Sequence, residues 1–572
     1  MPIPRIFTGQ RVFVLALAVA AVTALFLHLW RIGSAPSGFY VDESSIAYNA
    51  YCIAETGADE YGVRWPVFFR SLDTYTDPVN VYSVALPVRV FGLSEWAVRL
   101  PSALYYLVAC VAFYMLLRAW QLGKWFALAG CAMLSAIPWV FPLSRNSAFA
   151  GHTAALLGLV IGLMLTDSAL RRRSNWRAVL AGVVWAFAFS AHQSIRPVLA
   201  LLALGCGVVL WRPLVRRWRV VLLITISALV VLLPMIMSVL RFPAALLVRF
   251  HQVGISHEAA SFKEVIVGVA SRYLDYFSPR FLFIAGDHEL RHHTGWCGEL
   301  YWCLAPVILA GLYVAMRYWR RQPRYRIVLV GLLVSPVSAA LTVDRMHSTR
   351  CVYVVVFWLL LAMVGAHWLW QQRRVGRKLL VVACAVGALE SLAYLADYFG
   401  PYQKLCRHAF MAGLTDGLKY SFARINRNQT LYVDDSVGVP YGVYIHSDFK
   451  PLIYAHLLFY GKIDPRSYQR DGLSNSVVQP YLGRVEKPGL LLRANHTSRR
   501  SDVSPSAGMQ NHIPVPSEAK LLATFEDGTP LEYEVFEVRW LSDGKTAGNT
   551  RQTGRLRPPE PMETALRPVF PH

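Results

Sequence analysis

The sequence predicts a polytopic α-helical membrane protein, with about eleven transmembrane helices and a small extracytoplasmic α/β domain towards its C-terminal end. Three observations carry that. Apolar residues make up 55% of the 572-residue chain and charged residues only 16%, whereas about a quarter of a soluble protein is charged. The apolar residues are gathered into long blocks. The formal charge of +22 is concentrated in short segments between alternate blocks. Together these exclude a fully soluble enzyme, a disordered chain and a disulfide framework.

The blocks run Val12–Trp30, Pro101–Leu117, Trp125–Phe141, Thr153–Leu170, Ala178–Ala191, Pro197–Trp211, Val220–Leu240, Tyr301–Met316, Ile327–Val343, Cys351–Trp370 and Leu379–Leu395, eleven in all. A bilayer core takes about 20 apolar residues per helix. Ala178–Ala191 and Pro197–Trp211 fall below that and also read as one re-entrant hairpin. Val12–Trp30 lacks a small-residue cleavage site before the next segment, so it reads as an uncleaved first helix rather than a signal peptide.

The connecting segments set the topology. Basic residues fill the N-terminus (Arg5, Arg11) and every second loop: 118–124, 171–177, 212–219, 317–326 and 373–378. They number twenty-one, with no acidic residue among them. By the positive-inside bias these segments face the cytoplasm. The charge is topological, which removes the nucleic-acid reading that a basic chain invites. The C-terminal region and the two long loops, 31–100 and 241–300, then lie outside. Nine cysteines fall mostly within apolar blocks, where a free thiol is a small hydrophobe. Cys52, Cys297 and Cys303 lie in or beside the outer loops, and spacing does not decide whether any of them pair. No CxxC or HExxH spacing implies a structural zinc.

Three regions follow. Residues 1–399 form the membrane body with its outer loops. Residues 400–543 turn amphipathic and read as an extracytoplasmic α/β domain: a strand at Gln429–Val433, a helix over Tyr441–Tyr460, a loop at Asn495–Pro514, and strands Ala519–Phe525 and Leu531–Leu541 around a turn signal. Residues 544–572, rich in Pro, Arg, Thr and Gly, read as a disordered tail.

The candidate chemistry is on the outer side. Just past the first helix comes Tyr40-Val41-Asp42-Glu43-Ser44-Ser45, two adjacent carboxylates opening a stretch of helical spacing. Acidic residues there suit a helix N-terminus. A carboxylate partly desolvated near the membrane surface is also a candidate general base. Asp77-Pro78-Val79 follows, and then Phe91-Gly92-Leu93-Ser94-Glu95-Trp96-Ala97-Val98-Arg99-Leu100-Pro101-Ser102-Ala103-Leu104 enters the second helix. Ser144-Arg145, His192-Gln193-Ser194-Ile195-Arg196-Pro197, Gly286-Asp287-His288-Glu289-Leu290-Arg291-His292-His293-Thr294-Gly295 and Leu341-Thr342-Val343-Asp344-Arg345-Met346-His347-Ser348-Thr349-Arg350 also fall at outer helix ends.

In that order and placement these segments resemble the polyprenol-phosphate-sugar-dependent glycosyltransferases of the GT-C superfamily. The likeness is to the protein O-mannosyltransferase family (glycosyltransferase family 39) and the bacterial lipid A aminoarabinose transferases. It covers most of the membrane body. Relatives often carry a double proline with a basic residue at Asp77-Pro78-Val79, and many an acidic residue shortly after the Ser-Arg pair. This chain has neither.

The resemblance implies an enzyme that takes a sugar from a polyprenyl-phosphate carrier and inverts the anomeric centre. The acceptor is a hydroxyl of a protein, a lipid or a glycan. Asp42 is then the expected base, with Glu43 positioning it or binding the acceptor. Arg291, His292, Arg345 and Arg350 are the expected ligands of the donor phosphate, because guanidinium offers a planar multidonor fork; near helix ends, arginine also snorkels to lipid phosphate. Asp77, Arg99, Arg145 and Arg196 are expected around the substrate cavity. A divalent metal shared between Asp77 and His288, His292 or His293 is one reading; solvated loop histidines are the other. The expected setting is the cell inner (plasma) membrane, with the N-terminus cytoplasmic. A transporter or flippase would place ionisable groups mid-helix; here Glu390 is a single instance. A non-catalytic envelope scaffold is the other rival.

Overall fold

The computed structural model describes residues 5–71, 74–243, 254–255, 261–426, 428–437, 453–473, 478–481, 485, 487–496, 515–516, 518–527 and 531–539. They divide into two compact units: Met1–Ala35, Asp77–Asn80 and Arg99–Gln403 in one, Pro36–Thr76, Val81–Val98 and Lys404–His572 in the other. The sequence reading gives the whole first outer loop to the membrane body. Chain contacts instead group most of that loop with the C-terminal region.

The first unit is helical, and each of the eleven apolar blocks contains a helix. Six helical stretches are long and apolar enough to cross a membrane: Gln10–Leu29, Glu95–Ala119, Ser147–Arg172, Trp218–Arg241, Val354–Gln371 and Arg374–Leu405. The other blocks form shorter helices, Ile195–Val209 and Leu304–Arg317 among them. Proline explains two of the shortfalls. The block from Trp125 breaks into Lys124–Ser135 and Phe141–Ser144 around Pro138, and that from Ile327 into Pro323–Val334 and Val337–Ala340 around Pro336, because proline removes a helical donor and restricts the residue before it.

Val354–Gln371 is the centre of this unit, buried without a break from Val354 to Ala366, as a helix apolar on all sides requires. It packs on Leu304–Arg317 through glycine. A Cβ on Gly311 would collide with the Leu361 carbonyl, and one on Gly365 with the Val307 carbonyl. Small residues that let backbones approach are how helices associate where lipid removes the hydrophobic drive. Trp218–Arg241 lies at the opposite extreme, with only Val220 and Met235 buried. The chain is a multi-pass helical membrane protein.

The second unit is mixed. A β1–β2 hairpin (Phe69–Ser71, Thr74–Thr76) accompanies a five-stranded sheet in the order β4-β3-β5-β7-β6. Its strands are β3 Thr430–Val433, β4 Val478–Pro480, β5 Gly489–His496, β6 Lys520–Glu526 and β7 Leu531–Val538. β3 runs parallel to β4 and β5, while β7 is antiparallel to β5 and β6. The expected helix over Tyr441–Tyr460 is found at Ile453–Tyr460; residues 441–452, most of the loop at Asn495–Pro514 and the tail 544–572 lie outside the described residues.

The helix Val41–Thr56 packs its Tyr48 and Cys52 into the core beneath the sheet, with Leu414, Leu457 and Leu492. It stops at Gly57, whose φ of 70° is left-handed and suits glycine. Beyond it lies a buried acid. Glu60 is 2% exposed and accepts from Asn49 Nδ2 at 3.1 Å and Tyr454 OH at 3.2 Å. Its backbone N–H donates to Asn49 Oδ1 at 3.1 Å. Burial pushes its carboxyl up, to about 8, and nearby Asp59 adds to this.

Candidate functional site

A polar seam runs through the interior of the helical unit, and Asp287 anchors it. The second long loop turns at Gly286, where φ is +66° and an added Cβ would come within 2.7 Å of the His293 ring, so only glycine fits. Asp287, 6% exposed, then meets four donors. Its Oδ2 accepts from His292 Nδ1 at 3.0 Å, from the Ser348 N–H at 2.7 Å and from Ser348 Oγ at 3.0 Å. Its Oδ1 accepts the Glu289 N–H at 2.9 Å. Burial alone would raise this carboxyl, but the hydrogen bond and charge of His292 outweigh it and hold Asp287 well below the usual carboxylate range.

A carboxylate can only accept, so His292 Nδ1 carries the proton and Nε2 is left for another partner. The His347 ring stacks on His292 at 4.6 Å between centroids, with its Nδ1 on Thr349 Oγ1 at 3.0 Å. Burial, then the charges of His292 and Arg350, push His347 down, so it is neutral at pH 7. Asp287, His292 and His347 each offer one ligand atom, all within 4.8 Å of one another. Two imidazoles and a carboxylate suit a borderline divalent cation such as zinc. A cation would compete with Ser348 for Asp287 Oδ2, whose hydrogen bonds are complete without it.

The seam continues through aromatic contacts. Phe149 packs edge-on against both His292, at 5.1 Å, and His152, at 5.5 Å. His152 lies 3.6 Å from His192 between ring centroids. His192 Nδ1 meets Ser194 Oγ at 2.7 Å, and Ser194 Oγ meets Tyr353 OH at 2.9 Å. Nearby, Arg196 donates to Asp77, and both side chains are largely buried. Asp77 therefore faces arginine, not the loop histidines that the sequence reading offers it as metal partners.

The expected phosphate ligands separate. His292 belongs to the Asp287 cluster, and Arg350 lies beside it, paired with Asp344 at 2.7 Å. Arg291 is spent on Glu289, with Nε and Nη2 each 3.0 Å from a carboxylate oxygen. Arg345 is 60% exposed and 3.8 Å from Asp275.

Arg99 and Arg145, expected around a substrate cavity, are 0% exposed. Arg145 donates to the carbonyls of Leu27, Trp30 and Ala35, and Arg99 to that of Ile32 at 3.3 Å. Carbonyls at a helix C-terminus lack helical partners, and buried guanidinium supplies them. His28 completes this staple, reaching Ser144 Oγ and the Ser135 carbonyl at 2.9 Å each. Glu390, the lone mid-helix acid, likewise accepts the N–H groups of Trp302 and Cys303 at 2.9 and 3.0 Å, at the start of the helix Leu304–Arg317. The cysteines are all free thiols.

In the second unit, Asp42 and Glu43 occupy the first turn of Val41–Thr56. The sequence reading has Asp42 partly desolvated; its side chain is exposed. Glu43 takes the buried position (0% exposed) and accepts the Tyr40 N–H at 3.2 Å. The second helical position of that turn points outward and the third inward.

Sequence reasoning quotes the segments that hold Asp287, His192, His347 and Ser348 and gives those four no part in the site, nor does it give one to His152. The Gly286-Asp287 step was the one local signal. Ser348 lies 61 residues along the chain from its acceptor, beyond the reach of local pattern.

Residues 76–242 match the family model described as dolichyl-phosphate-mannose-protein mannosyltransferase. Among solved structures, the chain is similar to ArnT from Cupriavidus metallidurans in the apo state, with a TM-score of 0.51, 15% identity, and coverage of 92% of this chain and 98% of that one. ArnT bound to undecaprenyl phosphate is matched at 0.48 and 16% identity, over the same shares. The archaeal oligosaccharyltransferase AglB from Archaeoglobus fulgidus, in complex with an inhibitory peptide and a dolichol-phosphate, is matched at 0.45 and 12%, over 76% of this chain and 63% of that one. No curated protein sequence matches. The fold is that of apo ArnT, and the chain resembles the GT-C enzymes.

Proposed function

We propose that the chain is a membrane glycosyltransferase that moves a sugar from a polyprenyl-phosphate carrier to an acceptor hydroxyl on the extracytoplasmic face, with inversion. The observation that carries the reading is the mannosyltransferase family match over residues 76–242. That span holds Asp77, Arg99, Arg145 and Arg196, and with them both the buried ion pair and the staple of the first helix.

The chemistry follows from the donor. The bond from the anomeric carbon to the phosphate oxygen breaks as the acceptor oxygen bonds from the opposite face, and the electron pair leaves with the polyprenyl phosphate. A phosphate needs no strong acid to leave. It needs positive charge and donors where its negative charge grows. Arg350 fits that role, and so does His292 when its ring is doubly protonated, since only then does Nε2 donate. Arg291 holds both oxygens of Glu289 and Arg345 is exposed, whereas Arg350, although paired with Asp344, lies beside the Asp287 cluster. The acceptor hydroxyl gives its proton to a base as the new bond forms. Asp42 fills that role in this reading, at an exposed position in the first turn of its helix. Glu43 positions it by holding the helix start. Should a divalent cation bind, Asp287, His292 and His347 would hold it, and it would supply charge to the leaving phosphate.

The test uses purified protein in nanodiscs with a panel of radiolabelled polyprenyl-phosphate hexoses, with and without EDTA. Wild type is expected to release label from one donor, and Asp42→Asn to lose at least about 100-fold of that rate. Activity retained within a few-fold would reject Asp42 as base. Failure to bind any donor would reject the enzyme reading itself.

A further inference from the structure

At the opposite end of the helices from the Asp287 cluster's loop, residues 317–326, from the last residue of Leu304–Arg317 into the first turn of Pro323–Val334, carry five arginines: 317, 320, 321, 324 and 326. They divide by what they touch. Arg326 donates to the carbonyls of Trp319, Val209 and Arg320 at 2.9, 2.9 and 2.7 Å, and Arg324 to that of Trp120. These two hold the turn in place. Arg317, Arg320 and Arg321 line a cavity of about 450 Å³ with Met316, Trp319 and Leu329. Among the described residues no carboxylate pairs with any of the three.

We infer that this cavity binds the phosphate headgroup of an anionic phospholipid, on the side of the membrane that carries the basic loops. Arg317, whose guanidinium also lies 5.8 Å from the centre of the Tyr318 ring, Arg320 and Arg321 all line one concavity; their like charges favour an anion there, and guanidinium pairs with phosphate in bidentate fashion. Basic pockets between membrane helices on the cytoplasmic side suit anionic lipid headgroups.

A lipid, rather than a free anion, is indicated by what adjoins the cavity. Its walls include Met316, Leu329 and an indole. Leu309, Tyr313 and Met316, exposed at 67%, 50% and 63%, form one stripe along Leu304–Arg317 at helical spacing. That stripe ends at the arginines, so an acyl chain lying on it brings its phosphate to them. The bland alternative is that these are ordinary positive-inside residues, each solvated alone. The fixed turn, with two arginines spent on its backbone and three left around one cavity, is what favours a site. The proposal stands apart from the glycosyltransferase reading and needs only that this unit is in a membrane.

Native mass spectrometry of the full chain, titrated with phosphatidylglycerol or phosphatidylcholine, tests it. Wild type should retain phosphatidylglycerol preferentially. The triple variant Arg317→Gln, Arg320→Gln, Arg321→Gln should weaken the tightest adduct roughly 100-fold, about fivefold for each arginine near the surface. Leu329→Trp fills the cavity while keeping the charge, and should weaken it too. Leu329→Trp decides alone should the triple variant fail to fold. Equal retention of both lipids, or unchanged retention in Leu329→Trp, would overturn the proposal. So would displacement of the lipid by excess inorganic phosphate, which would make the site one for a free anion.

Discussion

Two buried carboxylates, one in each compact unit, have opposite fates. Asp287 in the helical unit is 6% exposed and Glu60 in the mixed unit 2%, so both have left water. Asp287 has four hydrogen-bond donors on its two oxygens and is held ionised. Glu60 has two, both on Oε1, with Asp59 beside it, and is pushed up to about 8. Burial sets the cost of the charge, and the number of donors decides whether the charge survives it. The helical unit gathers donors around a buried negative charge. The mixed unit has used a neutral acid as a strut between its first helix and Tyr454.

Removing the two acids should therefore have unequal effects. Asp287→Ala leaves the His292 ring N–H, the Ser348 N–H and hydroxyl, and the Glu289 N–H without their acceptor. The cost should be on the order of 3–5 kcal/mol of stability, read from thermal unfolding of the purified protein in detergent. Glu60→Ala strands only Asn49 and Tyr454, for about 1–3 kcal/mol. Equal losses in the two variants would break the comparison, since donor number would then not distinguish them.

The same contrast explains how much the sequence discloses. The apolar blocks are legible because each is a local run, and every one contains a helix. Their ends are less so. Pro138 and Pro336 cut two of them short, a signal present in the sequence but outweighed by hydropathy. The hairpin of β6 and β7 is also local, and its strands fall within a residue or two at their starts. The candidate site is harder to read because its parts are long-range. Asp287 and Ser348 are distant in sequence, as are Arg196 and Asp77, and Arg145 and the end of the first helix. Periodicity cannot pair them. Residue type misleads as well: Arg145, at an outer helix end, reads as lining a substrate cavity, yet it caps backbone carbonyls. Asp42 and Glu43 differ by one position, and only the helix's inward and outward faces separate the buried one from the exposed one.

The finest prediction concerns the proton on Glu60. Unfolded, its carboxyl titrates near the ordinary 4.5; folded, near 8. Below about 4.5 both states hold the proton, and the stabilisation from the neutral strut is fully present. Between about 4.5 and 8 only the folded state holds it, so the unfolded state is relieved of a proton that the native state must keep. Stability should fall as pH rises through this window, by on the order of 1 kcal/mol per pH unit from this group. Glu60→Gln keeps the shape and the acceptor oxygen but cannot titrate. At pH 5 it should match wild type within about 1 kcal/mol, and it should become relatively more stable as pH approaches 8. The difference between the two unfolding curves, taken pH by pH, isolates this one group from every other titration in the chain. Parallel curves from pH 5 to 8 would mean that Glu60 is ionised in the folded protein, and the two acids would then be alike after all.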